Sequence, residues 1–490
     1  MPVNYSDALP SDSGILTLAE TYKKEGNTLI IDGGDILQGT PLTQYYLEHC
    51  GQYPFHPVAL SMNAAGYDYI TLGNHDFNYG YDVLKDYLHA LNAQCLCANV
   101  HDLRGELGIL EKTIHILPNG LRIGMTGIVT DFVKIWESKK NLAGLAISDS
   151  FETAKSMYEE LRPECDVCVC IYHGGFERDL VTGALLFDTG ENVGGRICEE
   201  LGFDIVLTGH QHIEVPGIKI ADTHAVQLPD GAAQYIRLNG QTDSEDGIQI
   251  QSELMPAGSR CAAEPYHTIL PLEKEVQRWL DQPVGTLDVN IVPEEKLYAA
   301  QQGSRLAALF NQIQMDATGA QFSCTSLGNQ PAGMPKDVTI RSIIAAYLFA
   351  NTLVVLEVTE DILKAALERC AAYFTLENGV PSISDVFLKP KIEHYNYDFY
   401  AGLRYTFDLR RPVGQRVISI AGADGSPLGK GPFSLCTSNY RATGTGGYEV
   451  LRKCPVLWRG NKEMAQLAAA YIRGRSPLTV PEPDGPVIVY

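Results

Sequence analysis

Four short stretches of this chain end an apolar run with residues able to hold a divalent cation. Asp32-Gly33-Gly34-Asp35 follows NTLII, and Asn74-His75-Asp76 follows a run through Tyr67, Tyr69, Ile70 and Leu72. His173 closes VCVCIY and precedes Gly174-Gly175, and Gly209-His210-Gln211-His212 follows the run at Asp204 to Leu207. The donors are carboxylate, carboxamide and imidazole, which suit Mn, Zn, Fe, Co or Mg and argue against a thiolate zinc site. Each stretch alone has a plainer reading. Asp35 could cap the helix that starts at Pro41. Asn74-His75 could be an ordinary turn, and a histidine after an apolar strand is usually a packed side chain. Gly174 and Gly175 leave room for something bulky beside His173, and an H-x-H pair can turn two imidazoles toward adjacent metals. Four such loops together are hard to assemble from caps and turns. The chemistry they point to is metal-assisted phosphoester hydrolysis. Asp35 is the carboxylate placed to bridge two cations roughly 3.5–4 Å apart. His75 can be protonated near neutral pH and so can serve as the acid.

Positioning these groups takes strands whose C-terminal ends meet, which is where open α/β sheets bind ligands. The pattern supplies them. Strand-like runs at Asn27 to Ile31, Asp68 to Leu72, Gln94 to Ala98, Arg122 to Val129, Val167 to Tyr172 and Asp204 to Leu207 alternate with helical stretches. The helices are expected at 14–25, 41–48, 58–65, 81–92, 151–162 and 193–201. Alternation of this kind predicts a layered α/β domain. Short β runs with Gly and Asp turns from Ile218 to Met255 close it. The charged helical stretch AAEPYHTILPLEKEVQRWLD reads as a connector, and a second α/β unit follows Pro283. The expected division is therefore 1–260, a linker helix over 261–283, and 284–490.

Composition narrows the partners. At 490 residues the chain is too long for one core. A net charge of −21 gives no basic surplus for a nucleic-acid polymer. It leaves small phosphate substrates open, because a bound metal inverts the local charge. There is no run of 18 apolar residues and no signal-peptide pattern near Met1, so a cytoplasmic protein without a membrane span is expected. Oligomeric state is not written in the sequence, and a monomer is the expectation. Of twelve cysteines, Cys165-x-x-Cys168 could be a redox or zinc pair, but it runs into an apolar strand and reads as reduced structural thiols.

The motifs GDILQGTP, GNHDFNYG, IYHGG and TGHQH resemble the calcineurin-like metallophosphatases. More narrowly, they are similar to the bacterial 5′-nucleotidase and 2′,3′-cyclic-nucleotide 2′-phosphodiesterase/3′-nucleotidase branch. The resemblance covers essentially the whole chain. It implies a four-layered α/β/β/α catalytic sandwich with two metals and a C-terminal α/β nucleotide-specificity domain. Asp35 would be the bridging carboxylate. Asn74, His173 and His210 would complete one metal site, His212 would belong to the other, and His75 would donate to the phosphoryl oxygen or leaving group. The resemblance also implies a base clamp. Tyr440, in SNYRATGTGGY with Gly444 and Gly446, would stack on one face of the base, and Phe349, in YLFANT with Asn351, on the other. Core packing is the alternative for both rings.

Two departures bear on activity. The resemblance implies an Asp-x-His motif on a first strand, and this sequence has none; Asp7 and Asp12 do not replace it. That leaves Asp35 and His212 for the first metal and a full set for the second, so one metal is expected here unless the chain starts upstream of Met1. Thr325-Ser326-Leu327-Gly328-Asn329-Gln330 stands where the 5′-nucleotidase branch carries Asn-Gly-Gly-Gly-Ile-Arg. That favours hydrolysis of 2′,3′-cyclic nucleotides and 3′-nucleotides. A 5′-nucleotidase, a nucleotide-sugar hydrolase and a nucleotide-binding protein without turnover are the alternatives.

Overall fold

The structure is a computed structural model that describes residues 14–22, 24–186, 190–243, 247–258, 262–389 and 391–490. Asp7 and Asp12 lie outside the described residues. The chain divides into two compact units, Met1–Gln277 and Arg278–Tyr490. The division falls inside the helix Ala263–Leu280.

The first unit is built on two sheets. Three short parallel strands, Ile31–Asp32, Tyr69–Ile70 and Gln94–Cys95, form one. The other has six strands in the order Val215–Ile220, Thr223–Gln227, Ile205–Thr208, Val167–His173, Arg122–Val129 and Lys112–Ile116. Its central four are parallel to one another, and the outer two are antiparallel additions.

Period-two alternation explains the layering. In VCVCIYH, Val167, Val169 and Ile171 pack with Tyr69, Leu96 and Met125 between the sheets. Cys168, Cys170 and Tyr172 point the other way, against Phe151, Ala154, Met157 and Leu161 of the helix Ser150–Leu161. Val58, Ala59, Met62, Leu84 and Tyr87 cover the far face of the three-stranded sheet. The order is helix, sheet, sheet, helix. Every residue of Val167–His173 is buried, as expected for a strand covered on both faces. At roughly 1.5–3 kcal/mol per large apolar side chain, this strand is a main anchor of the unit. Cys165 and Cys168 are buried free thiols, and there is no disulfide among the described residues.

The second unit holds a five-stranded sheet in the order Asp398–Ala401, Phe322–Ser326, Phe433–Ser438, Thr352–Val358 and Val456–Glu463. Leu306, Leu309, Phe310, Ile313, Met464 and Ile472 cover one face, and Leu363, Ala366, Leu367 and Cys370 the other. Among the described residues no helix is long and apolar enough to cross a membrane.

Candidate metal centre

The ligand-type loops leave four strands of the first unit at their C-terminal ends and converge. Asp35, His173 and His210 each offer a ligand atom, all within 4.8 Å of one another. Asn74 joins them, with Oδ1 2.9 Å from His210 Nδ1. Glycines make the approach possible. A Cβ on Gly34 would stand 2.4 Å from Gly73 N, and one on Gly73 2.1 Å from Asp35 Oδ1, so the first two loops touch through bare backbone. Asp76 then ties them. Its buried carboxylate accepts from the backbone N–H groups of Gly73 (2.8 Å), Asp35, Ile36 and Leu37 (3.0 Å each).

Three of the residues singled out from sequence sit in the left-handed backbone region, Asp35 at φ 65°, His210 at 71° and His212 at 56°. Non-glycine residues rarely adopt it, and such conformations persist where the surroundings impose them.

Asp35 shares its two oxygens between loops. Oδ1 accepts from His75 N at 2.7 Å, and Oδ2 lies 3.1 Å from His173 Nε2. His173 is 3 % exposed, and its Nδ1 stands 2.6 Å from Gly33 O. A carbonyl can only accept, so Nδ1 carries the proton and Nε2 faces Asp35. Nε2 is buried without a hydrogen-bond partner. Burial would lower the His173 pKa, but the Asp35 charge beside it raises it to about 9. Burial would raise Asp35, and His173 holds it well below the usual carboxylate range. Without a cation the imidazole and the carboxylate form an ion pair at 3.1 Å, and the same two atoms, with His210, are close enough to hold a metal ion.

His210 is fixed from several sides. Its Nε2 lies 3.0 Å from Glu191 Oε1, and the Trp136 ring stacks on it at 5.3 Å and 21°. Both ring nitrogens face oxygens that only accept, Glu191 Oε1 at Nε2 and Asn74 Oδ1 at Nδ1, and a cation between Nδ1 and Asn74 Oδ1 would take both of the latter as ligands. The Glu191 segment is itself clipped down, since Thr130 Oγ1 donates to Glu191 O at 2.8 Å and Asn192 Oδ1 accepts from Gly175 N at 2.7 Å. Glu191, Trp136 and the clamping role of Asp76 were not read from the sequence. Asp76 adjoins the motif. Glu191 and Trp136 carried no local signal, because they reach His210 only through the fold.

His75 occupies the single 3₁₀ turn Asn74–Phe77 and is exposed, with Nδ1 2.9 Å from Asn78 Oδ1. His212 stands outside the three-residue group; its side chain is 44 % exposed and its Nδ1 is 4.0 Å from Asp230 Oδ1.

In the second unit Phe349 is half-buried, at 6.0 Å from the Tyr347 ring and 6.4 Å from the Tyr395 ring. Tyr395 was not singled out from sequence. Tyr440 lies in the turn Asn439–Ala442. Asn351 O accepts from Met464 N at 2.9 Å. Arg441 is buried at the root of the glycine loop. It donates to Asp398 Oδ1 through Nε and Nη2 (3.1 and 2.9 Å), to Thr445 O (2.6 Å) and to Tyr395 O (3.0 Å). A Cβ on Gly446 would meet Asn396 Oδ1 at 2.2 Å, and one on Gly444 would meet Glu449 Cα at 3.0 Å. Packing within the loop already requires both glycines.

Comparison with known proteins agrees with this geometry. Residues 6–214 match the calcineurin-like phosphoesterase family, and residues 283–453 match the 5′-nucleotidase C-terminal domain. The chain is 25% identical to the trifunctional nucleotide phosphoesterase protein YfkN of Bacillus subtilis, over 96% of this chain but only 36% of that protein. It is 25% identical to the 2′,3′-cyclic-nucleotide 2′-phosphodiesterase/3′-nucleotidase of Salmonella typhimurium, over 85% of this chain and 74% of that one. A Staphylococcus aureus structure described as a 5′-nucleotidase in complex with alpha-ketoglutarate superposes with a TM-score of 0.89 at 30% identity, covering 100% of this chain and 97% of that one. The chain belongs to the calcineurin-like phosphoesterase family, in the form that carries a 5′-nucleotidase C-terminal domain.

Proposed function

We propose that the protein is a metal-dependent phosphoester hydrolase acting on nucleotides, converting 2′,3′-cyclic nucleotides to 3′-nucleotides and these to nucleosides and phosphate. The observation that carries it is the convergence of Asp35, His173 and His210 with Asn74 beside them and His75 at the rim. Asp35, Asn74, His173 and His210 would hold one divalent cation, with Mn, Zn, Fe, Co and Mg all compatible with these donors. When bound, the cation supplies charge against the phosphoryl oxygens and acidity for the attacking water. Asp35 orients the His75 backbone, and His75 presents its ring to a phosphoryl or leaving oxygen. His212 would serve a second cation. Phe349 and Tyr440 would flank the base, with Asn351, Gly444 and Gly446 shaping that subsite. Relatives named for the cyclic and 3′ activities support this choice of ester.

A 5′-nucleotidase is the second reading, favoured by the description of the Staphylococcus aureus structure. Initial rates on 2′,3′-cyclic AMP, 3′-AMP and 5′-AMP after loading with Mn²⁺ or Co²⁺ decide between them. The proposal expects cyclic and 3′ substrates to lead. Preference for 5′-AMP transfers it to the second reading, and nucleotide binding without turnover overturns both.

A further inference from the structure

The ring of His75 is backed by an amide, Asn78, which cannot supply the charge a carboxylate would. The structure places a carboxylate one hydrogen bond further back. Asn78 Nδ2 donates to Glu137 Oε2 at 2.7 Å, while Asn78 Oδ1 lies 2.9 Å from His75 Nδ1. Both Glu137 oxygens are engaged as acceptors. Oε1 receives the Ser138 N–H at 2.6 Å and Asn141 Nδ2 at 3.0 Å. Asn141 Nδ2 also donates to Asn78 O at 2.6 Å, bracing the same residue from its backbone.

We propose that Glu137 is a positioning residue for His75, acting through the Asn78 amide; this rests on the hydrolytic reading above. A carboxylate can only accept, so the Asn78 NH₂ must turn to Glu137 and its carbonyl must turn to His75. That makes Nδ1 a permanent donor, in the neutral ring and in the imidazolium. The proton His75 exchanges with substrate is then confined to Nε2, on the exposed edge of the ring. Without an acceptor-only group at 137, the Asn78 amide could rotate and offer NH₂ to Nδ1. The ring would then take the other neutral tautomer, with its lone pair turned inward. Glu137 follows Trp136 directly, so one segment holds both the His75 ring and the stacked face of His210.

In Glu137→Gln the new NH₂ opposes the Asn78 NH₂ until the Asn78 amide turns over, and that turn changes what His75 Nδ1 meets from an acceptor to a donor. The charge can instead be moved forward. In the double variant N78D/E137Q, Asp at 78 accepts from Nδ1 and Gln at 137 donates to it. N78D alone sets two carboxylates in contact. We expect E137Q to lower kcat about 10- to 100-fold with KM within about twofold. N78D should be impaired as well, and N78D/E137Q should exceed both. Bis(p-nitrophenyl) phosphate serves as the probe, with Mn²⁺ content confirming that the Asp35–His173–His210 group is intact. The ¹⁵N signal of the His75 ring should report Nδ1 as protonated in the parent and the double variant, and a tautomer mixture in E137Q. Unchanged kcat and an unchanged ring signal in E137Q overturn the proposal. If E137Q does not fold, a double variant no more active than N78D overturns it. If the parent protein hydrolyses nothing, the hydrolytic reading fails, and the ring signal alone still decides the role of Glu137.

Discussion

The candidate metal centre of the first unit gathers donors from four loops, whereas the glycine loop of the second gathers its polar groups around one buried guanidinium. At the candidate metal centre, Asp35, His173 and His210 offer ligand atoms within 4.8 Å of one another, with Asn74 beside them. At the glycine loop, the Arg441 guanidinium is absorbed by Asp398 and by the carbonyls of Tyr395 and Thr445. Donors of several loops aimed at one point suit a bound cation, whereas donors and acceptors matched to one another hold a fold together. The loop's polar groups fix its own shape, and under the proposed function its rings would meet the base. On that reading one site recognises by charge, the other by form.

The comparison breaks most sharply on single side chains. His173→Ala should remove the cation and lower metal-dependent turnover by roughly three orders of magnitude, about 4 kcal/mol of barrier, while the second unit keeps its thermal transition. Kinetics and calorimetry on one preparation check both halves. Arg441→Ala should do the reverse. It strands Asp398 in the core, and the second unit should lose about 3–5 kcal/mol in denaturant unfolding while metal content persists. Equal effects of either substitution on both readouts would erase the distinction.

A histidine outside the site sharpens it. His56 Nε2 is also buried without a partner, yet its neighbours are the rings of Tyr46 and Tyr87. Burial lowers its pKa to about 4, where His173 beside Asp35 rises to about 9. The folded state therefore holds His56 neutral, and the unfolded chain binds its proton first. Its contribution is complete above about pH 6.5 and is lost as pH falls toward about 4, roughly 3 kcal/mol in all. The acid limb of the first unit's stability should flatten in His56→Gln. The smallest effect belongs to the clamp. Tyr440→Ala should raise KM by about 1–3 kcal/mol in binding and leave kcat on a base-free phosphoester unchanged.

Sequence alone placed the strand Arg122–Val129 to the residue, because it is a β-rich run that begins after the turn signal Pro118-Asn119-Gly120. The strand expected at Asn27 to Ile31 is observed at Ile31–Asp32, since its earlier residues make no ladder. Phe322–Ser326 and Phe433–Ser438 gave no signal, although both lie inside the five-stranded sheet. Besides Phe322 and Leu435, their buried positions are Ser, Cys and Thr, satisfied by contacts such as Ser323 Oγ to Asn311 Oδ1 at 2.8 Å, and local hydropathy cannot anticipate such partners. Val456–Glu463 is an edge strand rich in charge, the composition that keeps edges from pairing. At the site the ligand types were legible, because strand ends deliver them. Glu137, Glu191 and Trp136 were not, because each acts on a residue distant in sequence.

The left-handed backbone at His210 sets a conformational cost on the site. A glycine there would relax a conformation that costs a residue with a Cβ about 1–2 kcal/mol. His210→Gly should lose its cation, the Trp136 stacking and the Glu191 contact, and His210→Ala, which loses the same contacts without that relief, should melt lower than His210→Gly. The imidazole at φ 71° therefore sets a backbone cost against a place beside Asp35, His173 and Asn74.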